Sequence, residues 1–134
     1  MKKVLIFGTF DGLHEGHLNF FKQAREEGDY LIAVVGRDST VEKVKKRLPK
    51  HNEQERLEAV QNCGLVDFAR LGNEGVSPYV VVKEVSPDVI CLGYDQTHFT
   101  DKLEAKIKEM GLTIEVRRLE PYQPEIYKSS IINK

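Results

Sequence analysis

The feature that most constrains this chain is a set of short, almost unbroken apolar runs: Val4-Leu5-Ile6-Phe7, Tyr30-Leu31-Ile32-Ala33-Val34-Val35 and Val89-Ile90-Cys91-Leu92. A strand with one wet face alternates apolar and polar residues. A strand that is apolar at successive positions is covered on both faces, as in a parallel sheet lying between helices. Stretches of helical period separate the runs. Leu18, Phe21 and Ala24 recur every three positions within 17–27, and Leu103, Ile107 and Met110 mark a helix over 103–110 that Gly111 stops.

The remaining elements follow the same alternation. Residues 38–46 are charged and begin as a helix, Pro49 interrupts, and Asn52 is placed to cap a helix over 53–62. Residues 66–70 form a third strand. Ser77-Pro78 supplies an N-cap and a first-turn proline for a helix over 79–85, and 113–117 form a fifth strand. The tail from Pro121 holds two prolines before a short piece at 127–133. This pattern predicts one α/β domain over residues 1–134, a three-layer doubly wound, Rossmann-like sheet of about five parallel strands with right-handed crossovers. Such sheets bind ligands beyond the carboxyl ends of their strands, at the point where strand order reverses. The segments after strands one, two and four therefore carry the functional weight.

Composition narrows the classes. The 134 residues make one ordinary domain, and 20 basic against 21 acidic side chains leave a net charge of -1. That balance lacks the chain-wide basic excess of a nucleic-acid binder. No apolar run approaches membrane-spanning length, and Met1-Lys2-Lys3 leads directly into a strand, so a cytoplasmic protein with neither nucleic-acid nor membrane partner is expected. Cys63 and Cys91 lack the spacing of a zinc or redox pair and read as plain core thiols.

Directly after the first strand stands Gly8-Thr9-Phe10-Asp11-Gly12-Leu13-His14-Glu15-Gly16-His17. It has neither the glycine spacing of a dinucleotide fingerprint nor the Gly-Lys-Ser/Thr of a P-loop. It does offer a glycine-bracketed turn at a helix start, where amides and the helix dipole favour phosphate, and two imidazoles on one side that can donate to phosphate oxygens. Gly16 between them would let a phosphate approach the backbone. By themselves, His14 and His17 read equally as polar loop and cap residues.

In this strand–turn–helix context the G-T-F-D and H-x-G-H pattern resembles the signature of the cytidylyltransferase-like nucleotidyltransferases. The resemblance runs from Lys3 to about Ile131. It implies the HUP-type nucleotidyltransferase fold and a site in which Gly8, Thr9, Phe10, Asp11 and Gly16 bind nucleotide and His14 and His17 are catalytic. Within Lys43, Lys45 and Lys46 it implies a phosphate-binding lysine, with Lys43 as first choice, although the run reads equally as a solvated helix face. The segment Glu53-Gln54-Glu55-Arg56 resembles the family's E-x-x-R helix start and implies that Arg56 grips phosphate. After the fourth strand, Gly93-Tyr94-Asp95-Gln96 resembles the family's nucleotide loop, though a Gly-x-Asp turn is also ordinary and Asp95 could cap a helix. Ser129 and Ser130 match the family's terminal hydroxyl segment.

The tail departs from the family's cytidylyltransferase form, carrying Glu125-Ile126-Tyr127-Lys128 where R-T-x-G-I-S-T is usual, which weighs against CTP. The implied reaction is attack of a substrate phosphate on the α-phosphorus of ATP or CTP, with pyrophosphate leaving. The acceptor is a small phosphorylated molecule, and Mg2+ arrives with the triphosphate rather than on a ligand cluster of the chain. Within the family, the G-Y-D-Q segment, the Gly36-Arg37-Asp38 turn and the serine tail look closest to archaeal-type FAD synthetases that adenylylate FMN. Glycerol-3-phosphate cytidylyltransferases and transferases of the lipopolysaccharide-heptose type are the alternatives, with a nucleotide-sensing module as the non-enzymatic one. Phe10, Leu13, Tyr94 and Phe99 are candidates for an apolar slot around an isoalloxazine. A homodimer is the assembly the resemblance implies.

Overall fold

A computed structural model describes residues 1–72, 78–93 and 102–119, with the backbone only at positions 44, 45 and 78. The elements run β1 (Lys3–Gly8), α1 (Glu15–Glu26), β2 (Tyr30–Val35), α2 (Asp38–Lys45), α3 (Glu53–Asn62), β3 (Phe68–Leu71), α4 (Pro78–Val85), β4 (Val89–Leu92), α5 (Leu103–Glu109) and β5 (Glu115–Arg118). The strands form one sheet in the order β3-β2-β1-β4-β5, and every pairing is parallel. The chain winds outward from β1 through β2 to β3, then returns to the far side of β1 for β4 and β5. Strand order thus reverses between β1 and β4, which puts the turn after β1 and Gly93 beside the reversal.

The unbroken apolar runs are explained by their two covered faces. In β1, Val4 and Ile6 join Phe21 and Ala24 of α1 and Val60 of α3 in one core cluster. Leu5 and Phe7 join Val81 and Val82 of α4 and Leu103 and Ile107 of α5 in the other. Alternate residues of one strand therefore feed opposite layers, and both sets are apolar. Cys91 is buried with the first cluster and Cys63 is half-buried against it; both are free thiols. Burial pushes the Cys91 thiol up to about 12. Among the described residues no helix is long and apolar enough to cross a membrane.

Some boundaries move, for local reasons. Helix α1 starts at Glu15 rather than at His17, because His14 caps it. Strand β3 starts at Phe68 rather than at position 66. Leu31, opposite that entry, donates its N–H to the Asp67 carboxylate at 2.8 Å, and Arg25 Nη1 binds the same oxygen at 3.1 Å. A side chain thus replaces the first ladder bond. Strand β5 begins at Glu115 because the ladder can only start where its short partner does, with Glu115 opposite Val89. The predicted cap Ser77 and the tail piece at 127–133 lie outside the described residues.

Phe21 is fully buried and packs edge-on against Phe10, with ring centroids 5.2 Å apart. Phe21→Ala should cost about 3–5 kcal/mol of stability. Urea unfolding at unchanged m-value checks this, and a loss below about 1 kcal/mol would mean that the core closes over the missing ring.

Candidate active site

The turn after β1 is built around two histidines that cap their own helix. His14 is the N-cap of α1, and its Nδ1 accepts the Gly16 backbone N–H at 3.0 Å. In return His17 Nδ1 accepts the His14 backbone N–H at 3.3 Å. This is the reciprocal arrangement of a capping box, built from imidazoles instead of Ser and Glu. An imidazole nitrogen that accepts a hydrogen bond carries no proton, so each neutral ring holds its proton on Nε2. The rings lie side by side, centroids 4.0 Å apart at 31°. The capping reading is thus observed, and it is compatible with the donor reading, because the cap fixes the tautomer that leaves Nε2–H to donate.

The glycines serve side chains of the turn. A Cβ on Gly16 would lie 2.8 Å from His14 Cε1 and 3.0 Å from its Nδ1. The space expected for an approaching phosphate is filled by the His14 ring, and the Gly16 amide is spent on it. A Cβ on Gly8 would meet the Phe10 ring at 2.5 Å. Phe10 was expected to bind nucleotide and to line an apolar slot. It takes a left-handed φ of 53° instead and turns into the core at 4 % exposure, edge-on to His17 with centroids 5.7 Å apart. Leu13 likewise packs against the core cluster.

Asp11 is also committed elsewhere than the sequence implied. Its carboxylate accepts the backbone N–H groups of Lys50 at 2.7 Å and His51 at 2.9 Å, and meets His51 Nδ1 at 3.0 Å. Burial pushes the Asp11 pKa up, but these three partners outweigh it and hold the carboxyl at about 2.

Arg56 departs furthest from expectation. Its side chain is wholly buried, so it does not present its guanidinium to a phosphate. Nε donates to His51 O at 2.9 Å, and Nη1 donates to both Thr9 O at 2.8 Å and Gly36 O at 2.7 Å. Nη2 pairs with Asp38 Oδ1 at 2.7 Å. Thr9 and Gly36 directly follow β1 and β2, and the Gly36 N–H also donates to Gly8 O at 2.9 Å. Glu53, at the start of α3, accepts the Asp38 backbone N–H at 2.9 Å and pairs with Arg37 at 3.3 Å. The sequence implied a phosphate-gripping arginine, and the structure shows this guanidinium buried beside the histidine turn and bonded to three backbone carbonyls and Asp38.

Lys43 and Lys46 are exposed, one within α2 and the other at its left-handed C-cap. Gly93 directly follows β4 and its carbonyl accepts Arg118 Nη1 at 2.6 Å, bringing a cation that the sequence reading missed to the reversal point. Tyr94, Asp95, Gln96, Phe99, Ser129 and Ser130 lie outside the described residues. His51 was missed, and Asp38 and Glu53 were read only as parts of the Gly36-Arg37-Asp38 turn and the E-x-x-R start, because their partners are distant in sequence; Asn52 caps α3 as read, with Glu55 as its reciprocal partner.

A doubly wound parallel sheet with two imidazoles paired at the first strand–helix turn is the arrangement that the H-x-G-H resemblance implied for a nucleotidyltransferase. Residues 5–134 match the model of the cytidylyltransferase-like family, and the chain belongs to that family. It is 39% identical over 134 residues to the FAD synthase of Thermoplasma volcanium, covering all of this chain and 93% of that one. It is 46% identical over 125 residues to the FAD synthase of Methanobrevibacter smithii, covering 91% and 81%. Among solved structures, the lipopolysaccharide core biosynthesis protein from Thermoplasma volcanium GSS1 superposes with a TM-score of 0.85 at 39% identity, covering 92% of this chain and 99% of that one.

Two predictions follow from the turn. Gly16→Ala should fold but displace the His14 ring, which nitrogen chemical shifts of His14 would register as loss of its Nε2–H tautomer; an unchanged signature would mean that the cap does not set it. Asp11→Asn should cost about 1–3 kcal/mol at neutral pH by weakening three hydrogen bonds. The folded pKa of Asp11 lies below its unfolded value. Its stabilisation is therefore complete above about pH 4 and lost as pH falls through about 2. Wild type and Asp11→Asn should converge in urea stability over that window, and a constant gap would place the effect outside Asp11 ionisation.

Proposed function

We propose that residues 1–134 act as one domain that transfers the adenylyl group of ATP to FMN, forming FAD and releasing pyrophosphate. The observation that carries the reading is the pair of imidazoles whose Nδ1 atoms are held by backbone N–H groups, so that both offer Nε2–H from one side. Near full-length similarity to FAD synthases supports FMN as the acceptor. An FMN phosphate oxygen forms the new bond to the α-phosphorus, and the bridge to the β-phosphate breaks. The attacking group is already an anion, so the chain supplies positioning and hydrogen bonding rather than a nucleophile.

His14 and His17 donate to phosphate oxygens as charge grows in the transition state. Exposed Lys43 and Lys46 offset part of the anionic load, and Gly8, Thr9 and Gly93 bring backbone close to the nucleotide. Tyr94, Asp95, Gln96, Ser129 and Ser130 complete the nucleotide contacts that the family resemblance implies. Among the described residues no group of three or more His, Cys, Asp or Glu is placed to hold a metal. Mg2+ belongs to the substrate, MgATP. The same resemblance carries a homodimeric assembly, which light scattering in solution checks.

Pyrophosphate release tests the reading, with MgATP or MgCTP offered against FMN, glycerol 3-phosphate and a heptose phosphate. Release with ATP and FMN alone is expected; release only with another pair would replace the acceptor. The heptose arm is included because a solved relative belongs to lipopolysaccharide core biosynthesis. His14→Ala and His17→Ala should each lower kcat by about a hundredfold to a thousandfold while remaining folded. Near-normal turnover in either would remove that ring from the mechanism.

A further inference from the structure

The geometry points to Arg56 as a positioning residue that buckles a basic strap, residues 38–51, across the nucleotide site. This inference rests on the nucleotidyltransferase reading and gives the buried guanidinium a task within it. The strap leaves the sheet just after β2, runs through α2 and a turn, and re-enters at the start of α3. It carries Lys43, Lys45, Lys46, Arg47 and Lys50. Lys43, Lys46, Arg47 and Lys50 are exposed, and among the described residues none of these four forms an ion pair. Leu48 at the strap's turn is 60 % exposed. These four cations and Leu48 are thus spent on neither the core nor surface pairing, while Val41 of the same segment is buried.

One guanidinium holds both ends of this segment. Nη2 takes Asp38 at the start, and Nε takes the His51 carbonyl at the end. Nη1 fixes the pair of ends to the carbonyls following β1 and β2, beside the turn that carries the histidines. Asp11 adds a second fastening at Lys50 and His51. Arginine suits the position because only its planar fork presents donors to four acceptors at once; lysine, with a single nitrogen, cannot span them. A cation buried in this way cannot touch the triphosphate, but it decides where the exposed cations of the strap stand relative to His14 and His17.

The test uses Arg56→Lys and Asp38→Ala. The second leaves Arg56 in place and removes its carboxylate partner at the α2 end, a side chain that is one-third exposed. Trypsin cleavage under native conditions, mapped by mass spectrometry, should speed up within 43–50 in both variants, and MgATP should slow it in wild type. In turnover, kcat should fall about tenfold to a hundredfold, with KM for ATP changed far less. If Asp38→Ala is cut and turns over like wild type, the buckle is wrong, whatever Arg56→Lys does. A strap that is cut faster at wild-type kcat would make Arg56 purely structural and overturn the positioning role. A raised KM at unchanged kcat would return Arg56 to substrate binding. The cleavage measurement stands without any FAD assay, so failure of the FMN reading and failure of the strap are separable.

Discussion

The site depends on a positive charge kept out of water. Removing the Arg56 guanidinium from solvent costs several kcal/mol, a cost offset only if its N–H groups find well-placed acceptors and a counter-charge. Three backbone carbonyls and Asp38 provide them, drawn from the ends of β1 and β2, the turn before α3 and the start of α2. Once satisfied, the arrangement is hard to distort. Moving any of the three turns away would leave a buried donor or a buried charge uncompensated, and breaking such a pair from one side costs about 3–5 kcal/mol. The floor of the candidate site is therefore fixed by one side chain of α3 that never reaches its surface.

On that floor the histidines are set by a second economy of hydrogen bonds. A helix start leaves backbone N–H groups without intrahelical partners. In α1 two of the N–H groups at its start are met by the imidazoles of His14 and His17, and the bonds that cap the helix also choose the tautomer. Structure and chemistry thus share the same atoms. Gly16 is bare because a ring lies where its Cβ would be, and Gly8 is bare because Phe10 folds beneath it toward Phe21. The core reaches the histidine turn through Phe10, which touches Phe21 on one side and His17 on the other.

Much of this was legible in the residues. The doubly covered strands announced themselves in Val4–Phe7, 30–35 and Val89–Leu92, because a face that meets helices must be apolar at every second position and here both faces do. Asn52 announced α3, because capping is local and its partner Glu55 lies three residues on. The histidine turn was legible for the same reason: strand, glycine, imidazoles and helix are adjacent in the chain. The strand edges were less so, since the start of β3 was decided by the Asp67 carboxylate and that of β5 by the length of β4.

The sequence by itself determined the layer architecture, the Asn52 cap of α3 and the pair of imidazoles, all of which arise from interactions within a few residues or from periodic burial. Only the tertiary structure decided what Arg56, Asp11 and Phe10 do. Their residue types fit a phosphate site, a nucleotide loop and an aromatic slot as readily as they fit the tasks they have. For Arg56 and Asp11 the choice depended on partners about 20 to 50 positions away, at Gly36, His51 and Thr9, and for Phe10 on packing against Phe21 of the next helix. A charged or aromatic side chain near a site can face the ligand or hold the frame. Which it does is settled by whether distant backbone groups need a partner, and that need exists only once the chain has closed on itself.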